Sequence, residues 1–198
     1  LNNNQEITTN FQKNKIYDYI FICFMLGNDF IPHIPCINIR NNGIYHLLDA
    51  YKFVLNNEKE NITDGVTINW NIFRKFIKYL KDNEINYYDL EYKIRDKQSK
   101  KYYLNYSDEN KSEKFLNLPI KNREIEEYIN PPEEYWQARY YQTLFNIDYN
   151  NESIKKICIN YLESLEWTFK YYTVGCKDWR WSYKYNYPPL LEDLIKYI

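Results

Sequence analysis

The chain has few of the side chains that build soft-metal sites, with four cysteines and two histidines among its 198 residues. No two cysteines form a C-x-x-C pair, so the ligand spacing of a structural zinc site is absent. Two of the cysteines lie inside apolar segments, as free thiols do in a reducing compartment. We therefore expect no structural zinc.

Long apolar runs and excess charge of one sign are also missing. No stretch reaches the roughly 18 apolar residues of a membrane span, so we expect no membrane association. The formal net charge is −1, which gives no overall basic field for a nucleic acid, although a neutral chain can carry a local basic groove. The sequence shows no signal peptide and no initiating methionine. We therefore expect a piece of a longer protein.

The apolar residues that are present predict a mainly helical fold. The segment KIYDYIFICFML at 15–26 is apolar on nearly every face after Asp18, which predicts a buried helix that ends at Gly27. A later helix is expected to begin with Ser153 as its N-cap and to stop at Gly175. The spacing of apolar side chains predicts the remaining helices at 43–55, 69–81 and 133–145.

One carboxylate stands at the end of the first apolar segment, in the string MLGNDFIPHIP at 25–35. Gly27 and Pro32 fix the direction of Asp29, and such an oxygen ligand suits Mg²⁺. The alternative is that Asp29 caps the next turn, as Asx residues commonly do, and the local pattern alone favours this cap. His33 likewise fits a structural role better than that of a catalytic base.

A second group of candidate residues follows the helix stop at Gly175. Trp179, Arg180 and Trp181 offer two stacking faces and a phosphate contact, which are the means by which proteins hold single-stranded nucleic acid. The alternative is that the two tryptophans only plug the end of the domain. A stripe of side chains on the preceding helix is expected to be core, namely Tyr161, Leu165, Phe169 and Tyr172.

Three blocks of the sequence resemble, in family order, conserved segments of the Xrn-family 5′→3′ exoribonucleases. The blocks are IYDYIFICFMLGNDFIPHIPCINIRNNGIYHLLDAYK, YWQARYYQTLFNID and NYLESLEWTFKYYTVGCKDWRWSYKYNYPP. The resemblance implies a mainly α (α+β) fold, the helical C-terminal portion of a flap-endonuclease-like α/β core together with a second conserved segment that wraps the active site. It also implies degradation of 5′-monophosphorylated RNA from the 5′ end.

The resemblance assigns expected roles to the candidate residues. Asp29 matches the family's last metal ligand, in a two-metal Mg²⁺ (or Mn²⁺) site completed by residues outside this chain. Asn28 would orient Asp29 or an adjacent carboxylate, and His33 would support the loop. Trp179 or Trp181, with Trp181 favoured, would position the strand beside Arg180. Partners would be single-stranded RNA and the N-terminal half of the same polypeptide, in the cytoplasm or alternatively the nucleus.

The expected domain organisation follows the same resemblance. We predict four parts: a linker or disordered end at 1–14, the end of the nuclease core at 15–81, a charged insertion with at most short helices at 82–132, and the second conserved segment at 133–198. The fragment alone is expected to be inactive, and nothing in the sequence indicates its oligomeric state. Two alternatives remain: a non-catalytic RNA-binding or scaffold protein, and a flap-endonuclease-like DNA nuclease.

Overall fold

The fold is mainly helical in the part of the chain that a computed structural model describes, residues 2–56, 58, 60–103, 115 and 122–198. In chain order its main helices are α1 (Asn2–Cys23), α2 (Gly43–Leu55), α3 (Trp70–Asp82), α4 (Glu84–Tyr103), α5 (Glu124–Ile129), α6 (Trp136–Phe145), α7 (Asn151–Thr173) and α8 (Leu191–Leu194). Among the described residues, β structure is limited to an isolated antiparallel bridge between Thr63 and Ile68. The mainly helical class expected from the sequence is confirmed.

The chain divides into two compact units. The first consists of Leu1–Glu84 and Asn150–Ile198, and the second of Ile85–Tyr149. No helix in the described residues is long and apolar enough to cross a lipid bilayer.

The core of the first unit forms where three helices meet at an aromatic cluster. Phe21 of α1 is fully buried, and its ring packs edge-on against Phe73 of α3 at 5.2 Å and against Phe169 of α7 at 5.5 Å. Such edge-to-face pairs each contribute about 0.5–1.5 kcal/mol beyond the burial of apolar area. The apolar character of the 15–26 segment therefore serves contacts on several sides of α1.

Asp18 is the one charged residue buried in the apolar part of α1, and four hydrogen bonds satisfy its carboxylate. Oδ1 accepts from the Thr63 backbone N–H at 2.7 Å. Oδ2 accepts from the Tyr51 hydroxyl at 2.8 Å, from Asn61 Nδ2 at 3.1 Å and from the Ile62 backbone N–H at 3.2 Å. Asp18 thus joins α1 to α2 and to the loop that precedes α3.

The second unit is held by aromatic and ionic contacts. Tyr88 of α4 packs edge-on against Trp136 of α6, with 5.3 Å between ring centroids. The buried guanidinium of Arg123 pairs with Asp96 and Glu126. These contacts tie α4 to the segments that follow it.

Two expectations about secondary structure were wrong. Residues 2–14 belong to α1, because no glycine or proline interrupts the sequence between the buried end of the helix and Asn2. In the 82–132 segment, α4 is 20 residues long, and its buried side chains include Tyr87, Tyr88 and Glu91 instead of an aliphatic stripe. Residues 104–114 and 116–121 of that segment lie outside the described part of the chain.

The long helix α7 begins three residues earlier than expected. The cap is Asn150, whose side chain accepts a hydrogen bond from the Ser153 backbone N–H at 2.9 Å. Gly175, with φ of 104°, follows its C-terminal end as expected.

Candidate functional site

The loop Gly27–Pro32, here called the GNDF loop, is folded tightly at the end of α1. Gly27 has φ of 87° and its N–H donates to the Phe24 carbonyl at 3.0 Å, which ends the helical turn. The Asn28 side chain then accepts hydrogen bonds from the backbone N–H groups of Phe30 at 2.8 Å and Ile31 at 3.0 Å. The loop is therefore closed by its own hydrogen bonds before any ligand binds.

These contacts bear on the interpretation of Asp29 as a turn cap. The capping bonds belong to Asn28, and the exposed Asp29 side chain has no hydrogen-bond or ion-pair partner among the described residues. The cap interpretation of Asp29 is therefore wrong, because its neighbour already satisfies the N–H groups of the turn. The Asp29 carboxylate is available to a ligand.

The described residues provide part of a metal site at most. No group of three or more histidine, cysteine, aspartate or glutamate side chains in the described part of the chain could hold a metal ion. The Asp29 carboxylate has the oxygen chemistry that Mg²⁺ and Mn²⁺ prefer, so it fits as one ligand. The buried Asn28 Nδ2 atom has no hydrogen-bond partner among the described residues and could donate to a further acceptor.

His33 lies at the far end of the loop and is exposed. Its Nδ1 atom is 3.0 Å from the Ile34 carbonyl, to which it donates in the tautomer that carries the proton there. The backbone at Gly27 passes close to it, since a Cβ atom at that position would lie 3.1 Å from the Cβ atom of His33. His33 is thus placed to support the loop, as expected of a structural histidine.

Three rings beside the loop form a continuous pile, here called the aromatic stack, of Trp181, Trp167 and Tyr171. Trp167 stacks on Trp181 with 5.6 Å between centroids and 22° between planes. It also stacks on Tyr171, with a separation of 5.6 Å and an angle of 14°. Trp179 stands edge-on to Tyr171 at 6.0 Å and is 77% exposed.

Asp178 shapes the turn that carries these tryptophans. Its side chain accepts from the Arg180 backbone N–H at 2.9 Å, and its carbonyl accepts from Trp167 Nε1 at 3.1 Å. Arg180 is exposed, and its guanidinium has no partner among the residues that the structure describes. The turn therefore presents a cation next to the stack.

A cavity of about 260 Å³ opens against the stack, lined by Glu163, Glu166, Trp167, Lys170, Lys177 and Trp181. Lys170 pairs with Glu166, so the lining carries both signs of charge. The favoured candidate Trp181 lines this cavity, whereas the more exposed Trp179 does not.

Phe30 brings the two groups of candidate residues together. It follows Asp29 directly, and its ring packs edge-on against Trp167 at 5.1 Å and Tyr171 at 5.0 Å. None of these three rings was predicted from the sequence as part of the site. The four-residue spacing of Trp167 and Tyr171 was the available signal, because it places both on one face of a helix.

The stripe of α7 that was expected to be core lies on a different side of the helix from Trp167 and Tyr171. Tyr161, Leu165 and Phe169 are fully buried, which confirms them as core, but Tyr172 is 53% exposed. Tyr172 stacks on Phe24 at 5.6 Å instead. The expectation was wrong for this residue because it lies near the last turn of α7, where less of the domain surrounds it.

Comparison with known proteins identifies the family of the chain. The sequence profile of the family described as the Xrn1 helical domain matches residues 9–127 and 108–197. Together the two matched ranges include the whole 82–132 segment, which lies outside the three blocks that carried the resemblance.

Several curated relatives cover nearly the whole chain. The 5′-3′ exoribonuclease 2 homolog of Drosophila melanogaster is 26% identical over 90% of this chain, and 5′-3′ exoribonuclease 2 of Gallus gallus is 24% identical over 94%. Human 5′-3′ exoribonuclease 1 is 24% identical over 96%. The matched regions are 24%, 26% and 13% of these relatives' own lengths. On the strength of the profile match, the chain belongs to the Xrn helical-domain family.

Proposed function

We propose that this chain is part of a 5′→3′ exoribonuclease that degrades 5′-monophosphorylated RNA processively by metal-dependent hydrolysis of phosphodiester bonds. The observation that carries the proposal is the exposed Asp29 carboxylate on a pre-folded loop, held by Phe30 against an aromatic stack. A carboxylate for a metal and stacking faces for bases are the two requirements of such a nuclease. The names of the relatives support the same activity.

In this proposal Asp29 supplies one oxygen ligand, and Asn28 fixes the loop that aims it. The chemistry supplied by bound Mg²⁺ or Mn²⁺ is polarisation of the scissile phosphate and activation of the attacking water. The remaining ligands come from outside the described residues, from the N-terminal half of the same polypeptide. The 198-residue chain alone is therefore expected to be inactive.

The strand-binding part of the proposal rests on the tryptophans and Arg180. Bases of single-stranded RNA stack on Trp181 or Trp179, and the guanidinium of Arg180 contacts a phosphate. We place the protein in the cytoplasm, with the nucleus as the alternative. A DNA-directed, flap-endonuclease-like activity remains the less favoured alternative.

The test uses the complete polypeptide and RNA that bears a 5′-monophosphate. Asp29→Ala should abolish hydrolysis and leave RNA binding unchanged, because it removes a metal ligand and no stacking face. Asp49→Ala, on the exposed side of α2, is the matched control and should keep wild-type turnover. Normal turnover by the Asp29 variant would overturn the assignment.

The stack is tested by strand affinity in the presence of EDTA, which prevents hydrolysis. Trp181→Leu should weaken binding about five- to 150-fold, because one base–aromatic stack contributes about 1–3 kcal/mol. Trp179→Leu made in parallel shows which tryptophan carries the contact. Unchanged affinity in both variants would mean that the tryptophans only pack the end of the domain.

A second candidate function is strand binding without catalysis. It is favoured by the fact that the stack is complete within this chain, whereas the described residues hold one carboxylate of the metal site. A complete polypeptide that binds single-stranded RNA but never hydrolyses it, at any Mg²⁺ or Mn²⁺ concentration, would establish this function instead.

A further inference from the structure

The position of Phe30 has a consequence for how the two halves of the candidate site communicate. Its ring meets Trp167 and Tyr171 edge-on, with interplanar angles of 70° and 63°. These two partners lie one helical turn apart on α7, so the Phe30 ring is held between them. Edge-to-face pairs at this separation are attractive, and the loop is therefore anchored on the stack itself.

The backbone makes this anchor rigid. The N–H groups of Phe30 and Ile31 both donate to Asn28 Oδ1, and the Asn28 N–H donates to the Ile31 carbonyl at 3.0 Å. Asp29 lies inside this small hydrogen-bonded ring. A displacement of the Phe30 ring therefore moves the Asp29 backbone with it, because the two residues share one closed turn.

A second link joins the loop to α7 at a different point. The buried Tyr161 hydroxyl donates to the Pro32 carbonyl at 3.4 Å, and the Tyr161 ring packs edge-on against Tyr183 at 5.6 Å. This second link is a long hydrogen bond at Pro32, and Tyr161 is not part of the aromatic stack. Phe30 is therefore the attachment that is adjacent to Asp29 and that contacts the stack directly.

We propose that Phe30 is a positioning residue that couples the binding of bases on the aromatic stack to the placement of Asp29. A base that stacks on Trp181 restrains Trp167, Trp167 restrains Phe30, and Phe30 holds the GNDF loop. The inference rests on the proposed function, since it takes single-stranded RNA as the ligand of the stack. The loop would then be held most firmly when a strand is present.

The first experiment tests the coupling without RNA, by hydrogen exchange of the GNDF-loop peptide in the complete polypeptide. The Phe30 and Ile31 amides are bonded to Asn28 and exchange when the loop opens. Phe30→Leu should speed their exchange about five- to 150-fold, because two edge-to-face contacts are lost. Trp167→Leu should have a similar effect, and the double variant should exchange no faster than the faster single one.

The control is Phe53→Leu, which removes the same ring from a pair with Tyr79 at 4.8 Å on α2 and α3. It should leave exchange of the loop at the wild-type rate. Exchange of α3 amides reports whether each variant is folded. Additive effects of Phe30→Leu and Trp167→Leu, or a loop unaffected by Trp167→Leu, would overturn the coupling.

The second experiment adds a single-stranded oligouridylate in EDTA. In the wild type and in Phe53→Leu, bound RNA should slow hydrogen exchange of the loop. In Phe30→Leu, the RNA should bind with similar affinity, but the loop should exchange at the same rate as in the variant without RNA. RNA that protects the loop equally in Phe30→Leu would overturn the inference. Failure of the wild type to bind RNA would overturn the proposed function and the role of RNA, while the first experiment would still decide the coupling.

Discussion

The buried carboxyl of Glu84 makes the stability of the first unit dependent on pH. Glu84 is the first residue of α4 and is 4% exposed, and its Oε1 atom accepts from the Leu191 backbone N–H at 3.1 Å. Burial raises the pKa of this carboxyl from 4.5 to about 8, and the charges of Glu192 and Asp193 add to the rise. The hydrogen bond from Leu191 opposes the rise but does not cancel it.

The direction of the pH effect follows from this pKa. A carboxyl that holds its proton more tightly in the folded chain than in the unfolded chain stabilises the fold fully below pH 4.5. The stabilisation is lost as the pH rises through about 8. At about 1.4 kcal/mol per pKa unit, the total loss is about 4 to 5 kcal/mol as an upper bound.

The perturbation is Glu84→Gln, which keeps an oxygen acceptor for Leu191 and cannot ionise. The assay is urea unfolding followed by tryptophan fluorescence between pH 5 and pH 9. Relative to this variant, the wild type should lose about 1.4 kcal/mol of unfolding free energy per pH unit over most of that range. Glu133→Gln, at an exposed position, should run parallel to the wild type. A constant difference between wild type and Glu84→Gln would refute the reasoning.

Two further substitutions test how the GNDF loop and its helix are held. Asp18→Asn should lower the unfolding free energy measured in urea by about 3 kcal/mol, because the amide turns an NH₂ group toward hydrogen-bond donors. An unchanged urea midpoint would contradict the role of Asp18 in joining α1 to α2 and to the following loop. Gly27→Ala should cost about 1–3 kcal/mol through its positive φ. Because of the contact with His33, Gly27→Ala should lower the unfolding free energy more than Gly175→Ala does, since a Cβ atom at Gly175 would meet nothing within 4 Å. Equal losses would show that the loop shifts to accommodate the methyl group.

The helices whose apolar spacing is regular could be predicted closely from the sequence. The range 43–55 coincides with α2, and the predicted helix at 69–81 is α3, which Asn69 caps by accepting from the Ile72 N–H at 3.3 Å. In these helices, burial of one apolar face decides the structure. The spacing of α4 is different because tyrosines and a glutamate lie on its buried side. Its partners, such as Trp136, are distant in sequence, and local periodicity gave no sign of them.

The sequence predicted which residues belong to the candidate site but not how those residues are arranged in space. Asp29, Asn28, Trp179 and Trp181 were named from the sequence and its resemblance to a family. The local sequence pattern favoured Asp29 as the cap of the turn, whereas Asn28 makes the capping bonds, because the choice depends on backbone geometry that the pattern does not specify. The role of Phe30 depends on the packing of α7 against the loop, a contact between residues more than a hundred positions apart.

The four partners of the Asp18 carboxylate bear on the order in which the chain is made. They all come from residues between Tyr51 and Thr63, which leave the ribosome long after α1. A buried carboxylate without these donors costs several kcal/mol, so α1 gains little by packing while it is alone. The nascent helix therefore cannot pack with Asp18 buried until Thr63 has been synthesised and released from the exit tunnel, and its contacts with Phe73 and Phe169 form later still. Slow translation of residues 19–63 would prolong the interval in which the apolar side chains of α1 lack their packing partners.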